Sequence, residues 1–356
     1  MSTTTMKAVV AYGKNQYCLE EKPVPTLRDG EMLIRVEACG ICAGDIKAYD
    51  GVARFWGGDG MPAYAEPPFT PGHEFFGRVV AIEGEVPGGF QVGDRVISEQ
   101  IVPCGTCWYC RRGMTWLCGP HNVYGFKNYL NGGMAEYAVL PKGSVNHRVP
   151  DSFSLEEAAL IEPFACSLHG VRQAQIQPED TVVLAGAGTL GLGMVQAIRA
   201  FYPCKKLIAL DMIDERLALA RKFGADVVLN PGKTDALKEV LAMTEEIGCD
   251  VYIEATGHPA AVQQGLDMVR KGGTFVEFSV MSGPSTIDWS IIGDAKEITI
   301  RGSQLSPDCY EPVIEGFRSK KFTSEGVVSH QYALADWEKA YQTARTHDAV
   351  KVVLVP

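Results

Sequence analysis

From Thr181 to Ala185 an apolar strand-length run leads directly into Gly186-Ala187-Gly188-Thr189-Leu190-Gly191, which opens a helical pattern through Met194, Val195 and Ile198. A GxGxxG run means little alone, but between a strand and a helix it constrains the chain to a βαβ unit. The first glycine permits the turn, the second lets backbone approach a pyrophosphate, and the third allows close packing, with helix N-terminal amides facing the phosphates. A second strand, Lys206 to Leu210, ends at Asp211, about twenty residues on, where a carboxylate would bind the ribose hydroxyls and repel a 2′-phosphate. NAD is therefore the expected cofactor, with Gly186, Gly188, Thr189, Leu190, Gly191 and Asp211 at its site. Arg216 either stacks on the adenine or is simply solvated.

The same alternation continues in Asp226 to Leu229, Asp250 to Ala255 and Thr274 to Ser279, mostly separated by helical segments, and predicts a doubly wound parallel sheet. In the segment Asp214 to Gly224, Asp214 can cap, Leu217, Ala220 and Phe223 share a face, and Gly224 can stop the helix. The stretch Thr181 to Ile198 has the length and lack of charge of a membrane span, but its four glycines fit strand, turn and helix better.

The first part of the chain, to about Pro150, is rich in Gly and Pro and carries short strand-like runs at Met32 to Glu37, Gly77 to Ile82 and Arg95 to Ser98, as in an irregular β domain. With 356 residues, two domains are expected. After about Arg301 the alternation fades, which implies a return to the first domain. The expected division is 1–158, 159–302 and 303–356.

Cys104, Cys107, Cys110 and Cys118 lie in a turn-rich lobe, 103–119, with Pro103, Gly105 and Gly113 supplying tight backbone. Four thiolates without an open position suit a structural Zn²⁺; disulfides and iron or iron–sulfur ligation are the other uses of such a cluster. A second, scattered set comprises Gly40-Ile41-Cys42-Ala43-Gly44-Asp45, Gly72-His73-Glu74 and Glu162-Pro163. It mixes the ligand types of a catalytic zinc with one open position, although a single His or Cys is more often a packed core residue.

As an ordered set, Gly40-Ile41-Cys42, Gly72-His73-Glu74, the four-cysteine lobe, Glu162-Pro163 and GxGxxG resemble the zinc-containing medium-chain dehydrogenase/reductase family over nearly the whole chain. Glu162-Pro163 resembles the polyol dehydrogenase branch. Cys42 to Lys47 together with Phe55-Trp56-Gly57 resemble enzymes acting on tetritols such as threitol and erythritol. The resemblance implies an α/β protein: a GroES-like β domain, formed by both chain ends, around a Rossmann domain.

It also implies one catalytic and one structural zinc. Cys42 and His73 would be ligands, Glu74 or Glu162 the remaining contact, and Asp45 the group that orients His73. Many members carry Ser or Thr where this chain has Gly44, so the proton of the alcohol would leave through Lys47, a water paired with Glu74, or a substrate hydroxyl. The usual small residue is also replaced by Glu83. The expected reaction is NAD-linked oxidation of a secondary hydroxyl of a small polyol to a ketose, in a cleft between the domains. Other readings are an L-threonine dehydrogenase or aldehyde reductase of the same family, and a zinc- and nucleotide-binding protein without catalysis.

A net charge of -10 without a long basic run argues against nucleic acid and anionic membranes as partners. Met1 to Val10 lacks a secretory signal pattern, which points to the cytoplasm. A homodimer or homotetramer is expected from the family resemblance and the cysteine lobe.

Overall fold

The computed structural model describes residues 4–58, 60–346 and 348–356. Two compact units divide the chain: Met1–Glu162 together with Val328–Pro356, and Pro163–Val327 between them.

The first unit is built on a seven-stranded sheet. Its path runs Val328–Ala333, Lys351–Val355, Glu31–Ile41, Glu74–Glu83, Arg95–Ser98 and Asn146–Arg148, with Tyr137–Leu140 also paired to Glu31–Ile41. A separate hairpin, Thr5–Gly13 with Gln16–Pro23, turns at Asn15, which adopts positive φ. The strand-like runs at Met32, Gly77 and Arg95 are therefore real strands, two of them longer than their patterns. The chain end is a central strand here: Val352 and Val353 pair antiparallel with Ile41 and Gly40. Met32, Ile34, Phe69, Val79, Val96 and Leu354 bury their side chains in one core.

The second unit holds six parallel strands in the order Val227–Leu229, Lys206–Leu210, Thr181–Ala185, Cys249–Glu254, Val269–Glu277, Thr299–Gly302. The order reverses between Thr181–Ala185 and Cys249–Glu254, and a doubly wound sheet binds its ligand beyond the carboxyl ends of the strands at such a point. Thr181–Ala185 is buried at every position, as a central parallel strand should be. The uncharged stretch is this strand, the glycine turn and most of the helix Thr189–Phe201. Among the described residues no helix is long and apolar enough to cross a membrane.

Two local expectations change. The helix Asp214–Lys222 begins one residue earlier than a cap at Asp214 requires: its N-cap is Ile213, without a side-chain bond. The Asp214 carboxylate is instead drawn to the Asn230 amide at 2.7 Å and to Lys233. The compact units also divide at 162/163 and 327/328 rather than at 158/159 and 302/303. Thr299–Gly302 adds a sixth strand, and Phe317 of the helix Tyr310–Arg318 stacks on Phe164 at 5.6 Å. Gln196 then grips the backbone of Thr323 from both amide atoms, holding that segment on the helix Thr189–Phe201.

Candidate metal centre and nucleotide site

The strand Glu31–Ile41 delivers Cys42 to the N-cap of the short helix Ala43–Tyr49. The Cys42 sulfur accepts from Gly44 N–H at 3.4 Å, and Asp45 Oδ2 accepts from Cys42 N–H at 2.9 Å, a reciprocal cap that fixes the thiol's direction. His73 and Glu74 arrive where the neighbouring strand Glu74–Glu83 begins. One donor atom from each of Cys42, His73 and Glu74 lies within 4.8 Å of the others.

These residues fit a divalent cation. Burial and the Glu74 carboxylate raise the Cys42 thiol's pKa; a metal ion is the charge that makes a buried thiolate favourable. Burial acts to depress the His73 pKa, but Asp45 and Cys42 outweigh it and hold the imidazole well above its usual range. His73 Nδ1 and Asp45 Oδ1, both buried, make no hydrogen bond and stand 3.6 Å apart. That separation is an ion-pair contact, too long for a hydrogen bond.

Glu162 stands outside the converging group: its Oε1 accepts from Gln100 Nε2 at 2.8 Å, with both side chains buried. Lys47 lies half-buried on the short helix after Cys42. Reasoning from sequence missed Lys351, 4% exposed, whose ammonium donates to Glu74 Oε2 at 2.5 Å and to the Ile41 carbonyl at 3.2 Å. The signal was present as a single cation in the apolar run Val350 to Val355. It also missed Gln100, which no pattern marks.

Tyr49, Trp56, Phe55 and Tyr64 pack in two groups. Tyr49 packs in a ring cluster with Tyr17, Trp337 and Tyr341, and Trp56 stacks on Phe69 while donating to the Ala48 carbonyl. Phe55 and Tyr64 pack on Phe126, whose ring centroid lies 5.9 Å from that of His73.

In the cysteine lobe the Cys104, Cys107, Cys110 and Cys118 sulfurs lie within 4.8 Å of one another, and all four are free thiols. Backbone N–H groups of Cys104, Cys107, Cys110 and Gly119 donate to Cys118, Cys104, Cys107 and Cys107 sulfurs in turn. Such donors stabilise thiolates, and the amide and hydroxyl of Thr106, the amide first, lower the Cys104 pKa to about 6. Thiolates in this arrangement suit a tetrahedral ion.

In the second unit the glycine turn behaves as its motif requires. A Cβ at Gly191 would overlap the Gly186 carbonyl, whereas one at Gly188 would meet nothing within 4 Å. Gly188 caps the helix Thr189–Phe201 without a side-chain bond, leaving its N-terminal amides for an anion. Asp211 Oδ2 accepts from Ala187 N–H at 2.7 Å and Oδ1 from Ile213 N–H at 2.9 Å, so one carboxylate braces the glycine turn and its own loop. Arg216 is half-buried on the following helix.

This pairing of a β unit bearing a Cys/His/Glu cluster with a nucleotide-type sheet defines a metal-assisted dehydrogenase. The family described as alcohol dehydrogenase GroES-like domain matches residues 28–151, and that described as zinc-binding dehydrogenase matches residues 189–318. The chain belongs to the zinc-containing medium-chain dehydrogenase/reductase family. It is 47% identical to the erythritol/L-threitol dehydrogenase of Mycolicibacterium smegmatis, over 99% of this chain and 98% of that one. An Escherichia coli CFT073 short chain alcohol dehydrogenase complexed with NADH matches at TM-score 0.86 and 29% identity, covering 99% and 100% of the two chains. A Sinorhizobium meliloti structure bound to NADP matches at TM-score 0.90 and 26% identity, covering 99% and 100%.

Proposed function

We propose that the chain oxidises a secondary hydroxyl of a small polyol to a ketose, a tetritol such as threitol or erythritol foremost, with NAD as hydride acceptor. The observation that carries this reading is the convergence of Cys42, His73 and Glu74 in a chain so similar to an erythritol/L-threitol dehydrogenase. Cys42 and His73 would hold the catalytic zinc with a carboxylate, Glu74 or Glu162, and Cys104, Cys107, Cys110 and Cys118 the structural one. A zinc ion in the first site supplies Lewis acidity, which lowers the pKa of a hydroxyl it binds.

The protein's own groups do the rest. Asp45 faces His73 and sets its orientation and basicity. Glu162, held by Gln100, would accept a hydrogen bond from a second substrate hydroxyl. Phe126, Phe55 and Tyr64 give the His73 side an apolar wall that keeps water away. Gly44 offers no hydroxyl, so the proton's exit falls to Lys47, a water paired with Glu74, or the substrate itself. Asp211 supports NAD over NADP, because its carboxylate, held beside the glycine turn, would bind the ribose hydroxyls and repel a 2′-phosphate.

Steady-state kinetics on tetritols, pentitols, hexitols, L-threonine and simple alcohols, followed by NADH absorbance, tests the reading. Highest kcat/KM on a tetritol supports it; highest kcat/KM on L-threonine or a primary alcohol overturns it, as does inactivity with every alcohol. We further propose a cytoplasmic homodimer or homotetramer. Exposed Trp108 and Tyr109 on the cysteine lobe support association, and sedimentation equilibrium tests it.

A further inference from the structure

We infer that Lys351 is a positioning residue: by holding Glu74 it keeps that carboxylate from closing the coordination position a substrate hydroxyl must take. The inference rests on the reading that Cys42 and His73 hold the metal.

Two separate features fix the same oxygen. Lys351 Nζ bridges Glu74 Oε2, at 2.5 Å, and the Ile41 carbonyl, at 3.2 Å, and the Lys351 and Glu74 side chains are 4% and 3% exposed. Oε2 also occupies the space that a Cβ on residue 40 would need, so only glycine leaves it room there. The pairing of Val352 with Ile41 and Val353 with Gly40 places Lys351 beside the strand end that delivers Cys42. The carboxylate is thus held by a cation in the room that a glycine leaves, with one of its oxygens inside the Cys42/His73 group.

A dry ion pair of this kind is strongly coupled, because removing the cation leaves a buried carboxylate without its counter-charge. The nearest replacement would be the metal. A carboxylate already neutralised by an ammonium is a weak competitor for that ion; an unpaired one is a strong competitor. Glu162 Oε1, by contrast, accepts from the Gln100 amide rather than from the ammonium that bridges Glu74 and Ile41. The two carboxylates are thereby given different tasks by the side chains that hold them.

The test uses the full chain with cobalt(II) in place of zinc at the Cys42 site. Lys351→Met should bleach the strong visible absorption of four-coordinate cobalt as Glu74 adds to the ion, lengthen the half-life of the metal against a chelator, and lower kcat about 10- to 100-fold. NADH binding, read by fluorescence, should stay unchanged, which shows that the fold survives. Lys351→Arg should retain the parent spectrum. Lys351→Met combined with Glu74→Gln should regain intensity, since the competing carboxylate is gone.

The inference is overturned if Lys351→Met binds NADH normally with the parent spectrum and chelator half-life, or if the double variant matches Lys351→Met alone. If the unchanged protein gives the same cobalt spectrum with and without Cys42→Ala, the metal reading itself fails, and the inference with it. A variant that loses the spectrum only on Lys351 substitution leaves that reading standing, so the two failures are distinguishable.

Discussion

At Asp211 one carboxylate serves two amides, Ala187 and Ile213, and would also face the ribose. Asp211→Ala should lower kcat/KM with NAD by about tenfold, roughly one charge-assisted hydrogen bond, and narrow its preference over NADP; an unchanged NAD/NADP ratio would refute the assignment. Glu162→Ala should damage polyol oxidation more than that of simple alcohols, and equal losses would count against contact with a second hydroxyl. His169 supplies a pH prediction. It is 6% exposed, and burial followed by Arg172 lowers its pKa from 6.5 to about 4. The unfolded chain therefore binds the extra proton first: the stability is complete above about pH 6.5 and lost as pH falls to about 4. His169→Gln should remove that slope, worth on the order of 2–3 kcal/mol, as seen in urea midpoints measured at pH 7.5 and 4.5.

Among the elements, the glycine turn and the cysteine lobe are the most exacting. Gly191→Ala puts a methyl group into the Gly186 carbonyl. An overpacking cost of about 1–3 kcal/mol predicts NADH affinity weaker by roughly ten- to hundredfold, measured by fluorescence titration. Cys104→Ser with Cys118→Ser should release one metal equivalent and lower Tm while NADH binding persists; a loss of only 2–3 kcal/mol corresponds to about 5–10 °C. These two elements were legible because their chemistry is local, within 186–191 and 104–118. Strand existence was legible for the same reason: Thr181–Ala185 and Lys206–Leu210 coincide with their apolar runs. Lys351 and Gln100 were not, because each acquires meaning only from a partner distant in sequence, Glu74 or Glu162. The cap at Asp214 was misread since Lys233 and Asn230, well downstream, draw its carboxylate away.

For the whole molecule, the division at Glu162/Pro163 and Val327/Val328 implies a separable nucleotide unit. Its core of Val183, Ile208, Tyr252, Leu266 and Phe275 is its own. A fragment covering 163–327 should fold and bind NADH without oxidising alcohol, checked by circular dichroism and fluorescence; an unfolded fragment would show that the sheet depends on the flanking chain. The return point at 328 lay hidden in the sequence because Phe317 and Thr323 attach through contacts with Phe164 and Gln196 that leave no periodic trace.

The strand Lys351–Val355 lies inside its sheet, next to the edge strand Val328–Ala333 and beside Glu31–Ile41. A ribosome emits the first 162 residues early, yet their sheet lacks both strands on the Glu31–Ile41 side until this segment emerges, long after the nucleotide unit has been made. Nascent chains therefore pass through a stage in which one half is able to fold while the other awaits its final staves. A message cut short by a few codons would yield a protein that still grips dinucleotide but lacks the ammonium partner of Glu74.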